Sequence, residues 1–179
     1  MSAHKPLEGV KVVELASFVA APTAGRMMAE MGADVIRVES TAGDPWRFYG
    51  VNCGLPVADE ENPLFDIYNL GKKDIQLNTK TPEGKEILFH LLDEADVFIT
   101  NNRLKSLVRS GLDYESLKDR FPKLIYGLVT GYGQTGPDVD APGYDGVAFF
   151  SRSGMLADMA EPSGYPASAP GCIGDGATG

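Results

Sequence analysis

Val10-Lys-Val-Val-Glu-Leu15, Pro22-Thr-Ala-Gly-Arg-Met-Met-Ala-Glu-Met-Gly32 and Asp34-Val-Ile-Arg-Val-Glu39 follow one another in a single run, and their order decides the fold. The first is a short, β-branched apolar segment of the kind that forms a buried strand. Pro22 suits the first position of a helix, where a missing N–H leaves no bond unmade. Ala24, Met27, Met28 and Met31 then recur at i, i+3, i+4 and i+7 as one apolar helical face, and Gly32 supplies the C-terminal stop. The third segment reads as a second strand. Strand, helix and strand at this spacing make a right-handed parallel crossover, so the expected fold class is α/β, a Rossmann-like parallel sheet with flanking helices.

Further along, residues 41–70 carry Gly43, Asp44, Pro45, Gly50, Gly54, Pro56, Pro63 and an acidic run from Asp59 to Glu61, with no sustained period. They read as a long functional loop. Order resumes at Asp74-Ile-Gln-Leu77. Thr81 as N-cap and Pro82 at the first position then open a helix whose Leu88, Leu91, Leu92 and Ala95 form its buried stripe. Val97 to Thr100 is the next strand. Helical stretches follow at 104–109 and 114–120, a strand at 124–129, and from Gly131 a loop rich in Gly and Pro. Cys172-Ile-Gly-Asp-Gly-Ala-Thr-Gly179 ends the chain where a βα unit enters its next helix, so the sequence reads as a fragment.

Composition bounds the function. With 179 residues, 43% hydrophobic and 23% charged, the chain can bury the core of one domain. Sixteen basic against 25 acidic residues, a net charge of −9, exclude a general binder of nucleic acid, which needs a basic face to displace counterions. Cys53 and Cys172 stand far apart, with neither a second pair nor a histidine at ligand spacing. A disulfide framework and a zinc site are thus not indicated, and a reducing cytoplasm fits. Met1-Ser-Ala-His-Lys-Pro6 lacks the apolar core of a signal peptide, and no apolar run approaches the roughly 20 residues that span a bilayer, so no membrane partner is expected.

Among the motifs, Gly131-Tyr-Gly-Gln-Thr-Gly136 matches a dinucleotide-binding turn after a strand. Pro137, Asp138, Asp140, Pro142 and Gly143 follow where a helix must open, and that context argues against a dinucleotide. Thr81-Pro-Glu-Gly-Lys85 lacks Walker spacing and is a helix cap. Gly174-Asp175-Gly176 sets a carboxylate between residues without side chains, where an electrophile can approach and neighbouring N–H groups can face an oxyanion. Taken alone, it is also an ordinary turn. Lys72, Lys73, Lys80, Arg103, Lys105 and Arg109 are the cations nearest strand ends, and His4 and His90 have no catalytic partner visible in the sequence.

Several segments together resemble family III CoA-transferases: Pro6 to Leu15, Ala21-Pro22, Met31 to Glu39, Lys80 to Lys85, Ala95 to Val97, Gly131-Tyr132 with Gly136-Pro137, Pro142 to Asp145, and Gly174-Asp175 with Gly179. Their order and spacing cover nearly the whole chain. The resemblance implies that residues 1–179 are the N-terminal portion of the large domain of a two-domain, interlocked homodimer, cut just after its nucleophile loop. It further implies that Asp175 attacks an acyl-CoA thioester to form a mixed anhydride, which CoA thiolate converts to an aspartyl-CoA thioester before CoA passes to an incoming carboxylic acid. Coenzyme A enters as a substrate, with no permanently bound cofactor. By position, Leu77, Lys80, Asn101, Arg109, Gly143 and Tyr144 are implied CoA contacts.

Ser40 stands where some members carry an arginine, Val19 where formyl-CoA transferases carry a glutamine, and Asn102-Arg103 where an aromatic often follows the asparagine, which argues against formyl-CoA and oxalate. Phe18 to Pro22, Gly43 to Pro45 and Gly111 to Tyr114 look closest to the clostridial branch that moves CoA onto 2-hydroxy acids such as phenyllactate or 2-hydroxyisocaproate. Trp46, Phe48, Tyr49 and Phe65 either supply an apolar acyl site or, the commoner fate of aromatics, pack the 41–70 loop. Acyl-CoA racemases of the same superfamily place a histidine where this chain has Tyr144, a poor base at neutral pH, which makes racemisation the weaker alternative. A CoA-binding module without activity is the non-enzymatic one.

Overall fold

The computed structural model describes residues 4–58, 60–166 and 171–179; Met1, Ser2, Ala3 and Asp59, read above in the terminal and acidic stretches, lie outside the described residues. Five parallel strands make one sheet: β1 (Lys11–Leu15), β2 (Asp34–Glu39), β3 (Lys73–Gln76), β4 (Val97–Thr100) and β5 (Ile125–Leu128), in the order β3-β2-β1-β4-β5. The chain moves outward from β1 on one side through β2 and β3, then returns to pair β4 on the other side. The crossover predicted between 10 and 39 is therefore the centre of a doubly wound sheet.

Both faces of the sheet are covered. Val13, Leu15, Val38 and Phe98 pack against Leu88 and Leu92 of α4 (Pro82–Glu94), Leu107 of α5 (Leu104–Ser110), and Leu117 of α6 (Tyr114–Leu117). Each such buried Leu or Phe contributes about 1.5–3 kcal/mol relative to exposure. Val12, Ala16, Val35 and Ile99 face α1 (Ala20–Glu30) through Ala21. Helix α4 starts as read: the Thr81 hydroxyl accepts the Gly84 N–H at 3.1 Å, and Pro82 occupies the first turn. Among the described residues, no helix is long and apolar enough to cross a membrane.

Four expectations change. Pro22 is the third residue of α1, tolerated because N–H groups of a first helical turn lack intrahelical acceptors anyway. The buried face of α1 is Ala21, Pro22 and Gly25, while Met27 and Met31 stay 43% and 42% exposed. A Cβ on Gly25 would fall 1.9 Å from a Glu14 oxygen, so small residues make the closest approach to the sheet, while Ala24 and Met28 of the predicted face pack at its margin. Residues 41–70 are not one loop: they hold α2 (Trp46–Tyr49), a 3-10 turn (Gly50–Cys53) and α3 (Pro63–Asn69), the last capped by Asn62, which accepts the Phe65 N–H. Beyond Gly131 lie a π-helical turn (Gly146–Ser151), α7 (Met155–Asp158) and α8 (Ile173–Thr178), so the chain enters the final helix at whose threshold it was expected to stop.

Candidate active site

In a doubly wound sheet, ligands bind beyond the carboxyl ends of the strands where the winding reverses. Here the reversal falls between β1 and β4, and the segments leaving them, Ala16 to Val19 and Asn101 to Arg103, part to open two clefts. One, of about 880 Å³, is lined by Phe18, Trp46, Tyr49, Asn101, Gly143, Tyr144 and Asp175. The other, of about 830 Å³, is lined by Leu77, Lys80, Lys85 and Arg109. Ser17, Asn102 and Ser106 line both. The seven residues singled out from the sequence thus divide into two adjoining groups, with three in the basic cleft and four in the aromatic one.

Asp175 lies in the first turn of α8, half-buried, with α8 packed on the start of α1. Its backbone N–H donates to the Asp145 carboxylate at 2.8 Å. Burial, and then the neighbouring charge of Asp145, push the Asp175 carboxyl up to about 6. A carboxylate more basic than usual is a better nucleophile, and it remains mostly ionised at neutral pH. Gly174 is required by packing, since a Cβ there would meet the Phe149 ring at 2.1 Å, whereas Gly176 faces open space and leaves one side of Asp175 approachable. The expected oxyanion contacts from this segment are not formed by the Asp175 and Gly176 amides, which are taken by Asp145 and by the Cys172 carbonyl.

Two of the implied CoA contacts have structural duties. Asn101 Nδ2 donates to the Ser17 carbonyl at 2.7 Å and its Oδ1 accepts the Ser17 N–H at 3.0 Å, clamping the ends of β1 and β4 together. Gly143 packs backbone to backbone on Gly131; a Cβ on either would come within 2.5 Å of the other's Cα. Tyr144 is 60% exposed and meets the Phe18 ring edge-on at 6.4 Å. Of the other cations, Lys72 is buried on Glu14 at 2.7 Å, Lys73 pairs with Asp34, and Lys105 pairs with Asp140. Lys80, Lys85 and Arg109 are those gathered around one cleft. The Gly131 to Gly136 segment opens no helix, in line with the case against a dinucleotide.

Sequence reasoning assigned no role to Ser17, Phe18, Asp44 or Asp145. Phe18 has φ 64°, a left-handed conformation uncommon outside glycine, and its N–H donates to both Asp44 carboxylate oxygens at 3.1 and 3.2 Å. Trp46 N–H donates to the same carboxylate at 2.8 Å. Trp46 and Phe65 are buried and Phe48 is exposed, so the first two pack this region as expected of aromatics, while Trp46 and Tyr49, stacked at 4.7 Å, also wall the cleft of Asp175. The signals available were the Gly43-Asp44-Pro45 turn and the Pro142 to Asp145 segment, which mark loops without indicating what they hold.

The chain is 50% identical over 167 residues to a cinnamoyl-CoA:phenyllactate CoA-transferase of Clostridium sporogenes, covering 93% of this chain and 40% of that protein. It is 44% identical over 169 residues to an (R)-2-hydroxy-4-methylpentanoate CoA-transferase of Clostridioides difficile, covering 94% and 42%. A crystal structure of a CAIB/BAIF family protein from Brucella suis superposes with a TM-score of 0.88 at 39% identity, covering 97% of this chain and 46% of that one. The chain thus spans less than half the length of these relatives. Residues 7–179 match the model of CoA-transferase family III, and the chain belongs to that family.

Proposed function

We propose that the complete protein transfers coenzyme A between an acyl-CoA and a carboxylic acid, with a 2-hydroxy acid as one partner, and that Asp175 carries the acyl group. The observation that carries the reading is the Asp175 carboxylate itself: half-buried at the winding reversal, raised to about 6, and open on its Gly176 side. A carboxylate oxygen attacks the thioester carbonyl, the C–S bond breaks, and CoA leaves as thiolate, giving a mixed anhydride. The thiolate then attacks the aspartyl carbonyl, the first acid departs as its carboxylate, and an aspartyl-CoA thioester remains. An incoming carboxylate reverses the sequence and leaves as the new acyl-CoA. The anhydride conserves the reactivity of the thioester, so no nucleoside triphosphate is consumed.

An extended substrate with phosphates at one end and a thiol at the other suits two adjoining clefts, one with Lys80, Lys85 and Arg109, the other with Asp175. Leu77, Asn101, Gly143 and Tyr144 serve as walls in this reading, and the complete protein works as a homodimer. The aromatic wall of Phe18, Trp46 and Tyr49 favours an aryl or branched acyl group, in keeping with the phenyllactate and 2-hydroxy-4-methylpentanoate named for the two relatives. It also keeps water from intermediates that would hydrolyse. Racemisation has weaker support: Tyr144 stands where the base is needed, and His4 and His90 are exposed and line neither cleft.

The test is to incubate the complete protein with an aryl- or branched-acyl-CoA, trap with hydroxylamine or borohydride, and map the modified residue by mass spectrometry. Modification at Asp175, absent in Asp175→Ala with activity reduced at least about a thousandfold, is the expected result. An unmodified Asp175 together with exchange of the acyl Cα–H into deuterated solvent would replace transfer with racemisation.

A further inference from the structure

The turn at Ser17-Phe18 divides the two clefts, and side chains from opposite directions grip its consecutive backbone groups. Asn101 takes both the N–H and the carbonyl of Ser17. Asp44 takes the N–H of Phe18 with both carboxylate oxygens, and that of Trp46 with one. The first grip ties strand ends together. The second has a different geometry, because it holds a non-glycine residue at φ 64° and joins it to the aromatic wall facing Asp175. Strained backbone of this kind persists only where its surroundings over-determine it.

Asp44 is itself fixed from behind. It is buried, and the fully buried guanidinium of Arg37 pairs with it. Strand register aligns Glu14 of β1, Arg37 of β2 and Asp74 of β3 side by side, so that Arg37 Nε lies 3.3 Å from Glu14 and an η nitrogen 3.0 Å from Asp74, with Glu39 bound as well. Arg37 thus cannot swing away, and the carboxylate it anchors can accept but not donate. An asparagine at 44 would turn an NH2 either toward the guanidinium or toward the Phe18 and Trp46 N–H groups, donor against donor.

We infer that Asp44, locked by Arg37, is a positioning residue that holds the Ser17-Phe18 turn and the Trp46 wall in register with Asp175, so that the substrate is presented to the nucleophile. The inference rests on the CoA-transferase reading. Its test compares Asp44→Asn with Asp74→Asn in the complete protein. Asp74 also pairs with Arg37 but bonds neither Phe18 nor Trp46, so it reports the cost of disturbing the charge network alone. Trp46 is the one tryptophan of these 179 residues, and the emission lost on Trp46→Phe in each background isolates its signal and reads the wall.

The expected result is a loss of about tenfold or more in the rate of Asp175 acylation and a red-shifted Trp46 emission in Asp44→Asn. Asp74→Asn, even with an equal fall in Tm, should keep the rate within about twofold and the emission unchanged. Rates that fall only in proportion to Tm in both variants overturn the inference. Should Asp44→Asn fold poorly, its Tm cost is measured again with Phe18→Gly, because glycine adopts the positive φ unaided. A cost reduced by half or more supports the hold on Phe18, and an unchanged cost overturns it. A wild type that never forms acyl-Asp175 sinks the transferase reading, while the emission and the Phe18→Gly cycle still decide whether Asp44 holds the turn.

Discussion

Glu39 and Asp175 are both carboxylates near the carboxyl rim of the sheet, and their surroundings drive them in opposite directions. Glu39 closes β2 and is buried, which alone would raise its pKa, yet Arg47, bonded at 2.6–2.9 Å, then the neighbouring Asp74 carboxyl and the charge of Arg37 bring it down to about 2. Asp175 is less buried, has another carboxylate as its charged neighbour, and rises to about 6. The difference teaches that a buried carboxylate is held ionised here only where it gathers most of the guanidinium bonds, since Asp74, which shares Arg37 and Arg47 with Glu39, is itself pushed up to about 6 by burial and by Glu39.

The strongest challenge to that contrast is Arg37→Met. It strips the cation from Glu14, Glu39 and Asp44 together, and breaking a buried pair from one side costs about 3–5 kcal/mol. Urea unfolding of the complete protein should show a loss of that size, and an unchanged midpoint would mean the network is not structural. Next come Glu39→Gln and Asp175→Asn, expected to act with opposite signs. The folded pKa of Glu39 lies below its ordinary 4.5, so its contribution is complete above 4.5 and lost as pH falls toward 2. Glu39→Gln should therefore cost about 1–3 kcal/mol at neutral pH. The folded pKa of Asp175 lies above its ordinary 3.8, so its ionised form opposes folding above 6, and the penalty fades as pH falls toward 3.8. Asp175→Asn should raise Tm slightly at pH 7.5, with the gain shrinking over that window. Same-sign shifts would erase the contrast. The smallest effect belongs to the basic cleft: Lys80→Gln and Arg109→Gln should each raise KM for acyl-CoA about three- to tenfold with kcat held, and less so at high salt.

Much of the sheet was legible because its signals are local. Val10 to Glu39 carries its own strand, helix and strand, and Thr81-Pro82 caps α4 by chemistry contained within four residues. Arg37 shows what local reading misses. In Asp34-Val-Ile-Arg-Val-Glu39 it looks like a polar residue on an exposed edge, and it is fully buried only because β1 and β3 bring Glu14 and Asp74 alongside. The same burial of Glu14 beneath Gly25 shows why the closest face of α1 is built of small residues, leaving Met27 and Met31 outward. Asp175 was legible only through a run of family-like segments, since Gly-Asp-Gly is an ordinary turn by itself. Asp145, 30 positions away, gave no local sign that it would meet the Asp175 N–H. In 41–70, short helices held by Trp46 and Phe65 in a tertiary cluster lack the length for a visible period.

The most direct measurement is the rate of acyl transfer to Asp175 in the complete protein as pH is lowered from 8 to 4.5, followed by rapid quench and mass spectrometry. A nucleophile that must be ionised and titrates at about 6 predicts a rate that is level above 7 and falls tenfold per pH unit below 6. A rate that holds steady down to 4.5, as for a carboxylate of ordinary acidity, would contradict the claim that this site leaves Asp175 basic and ready to attack.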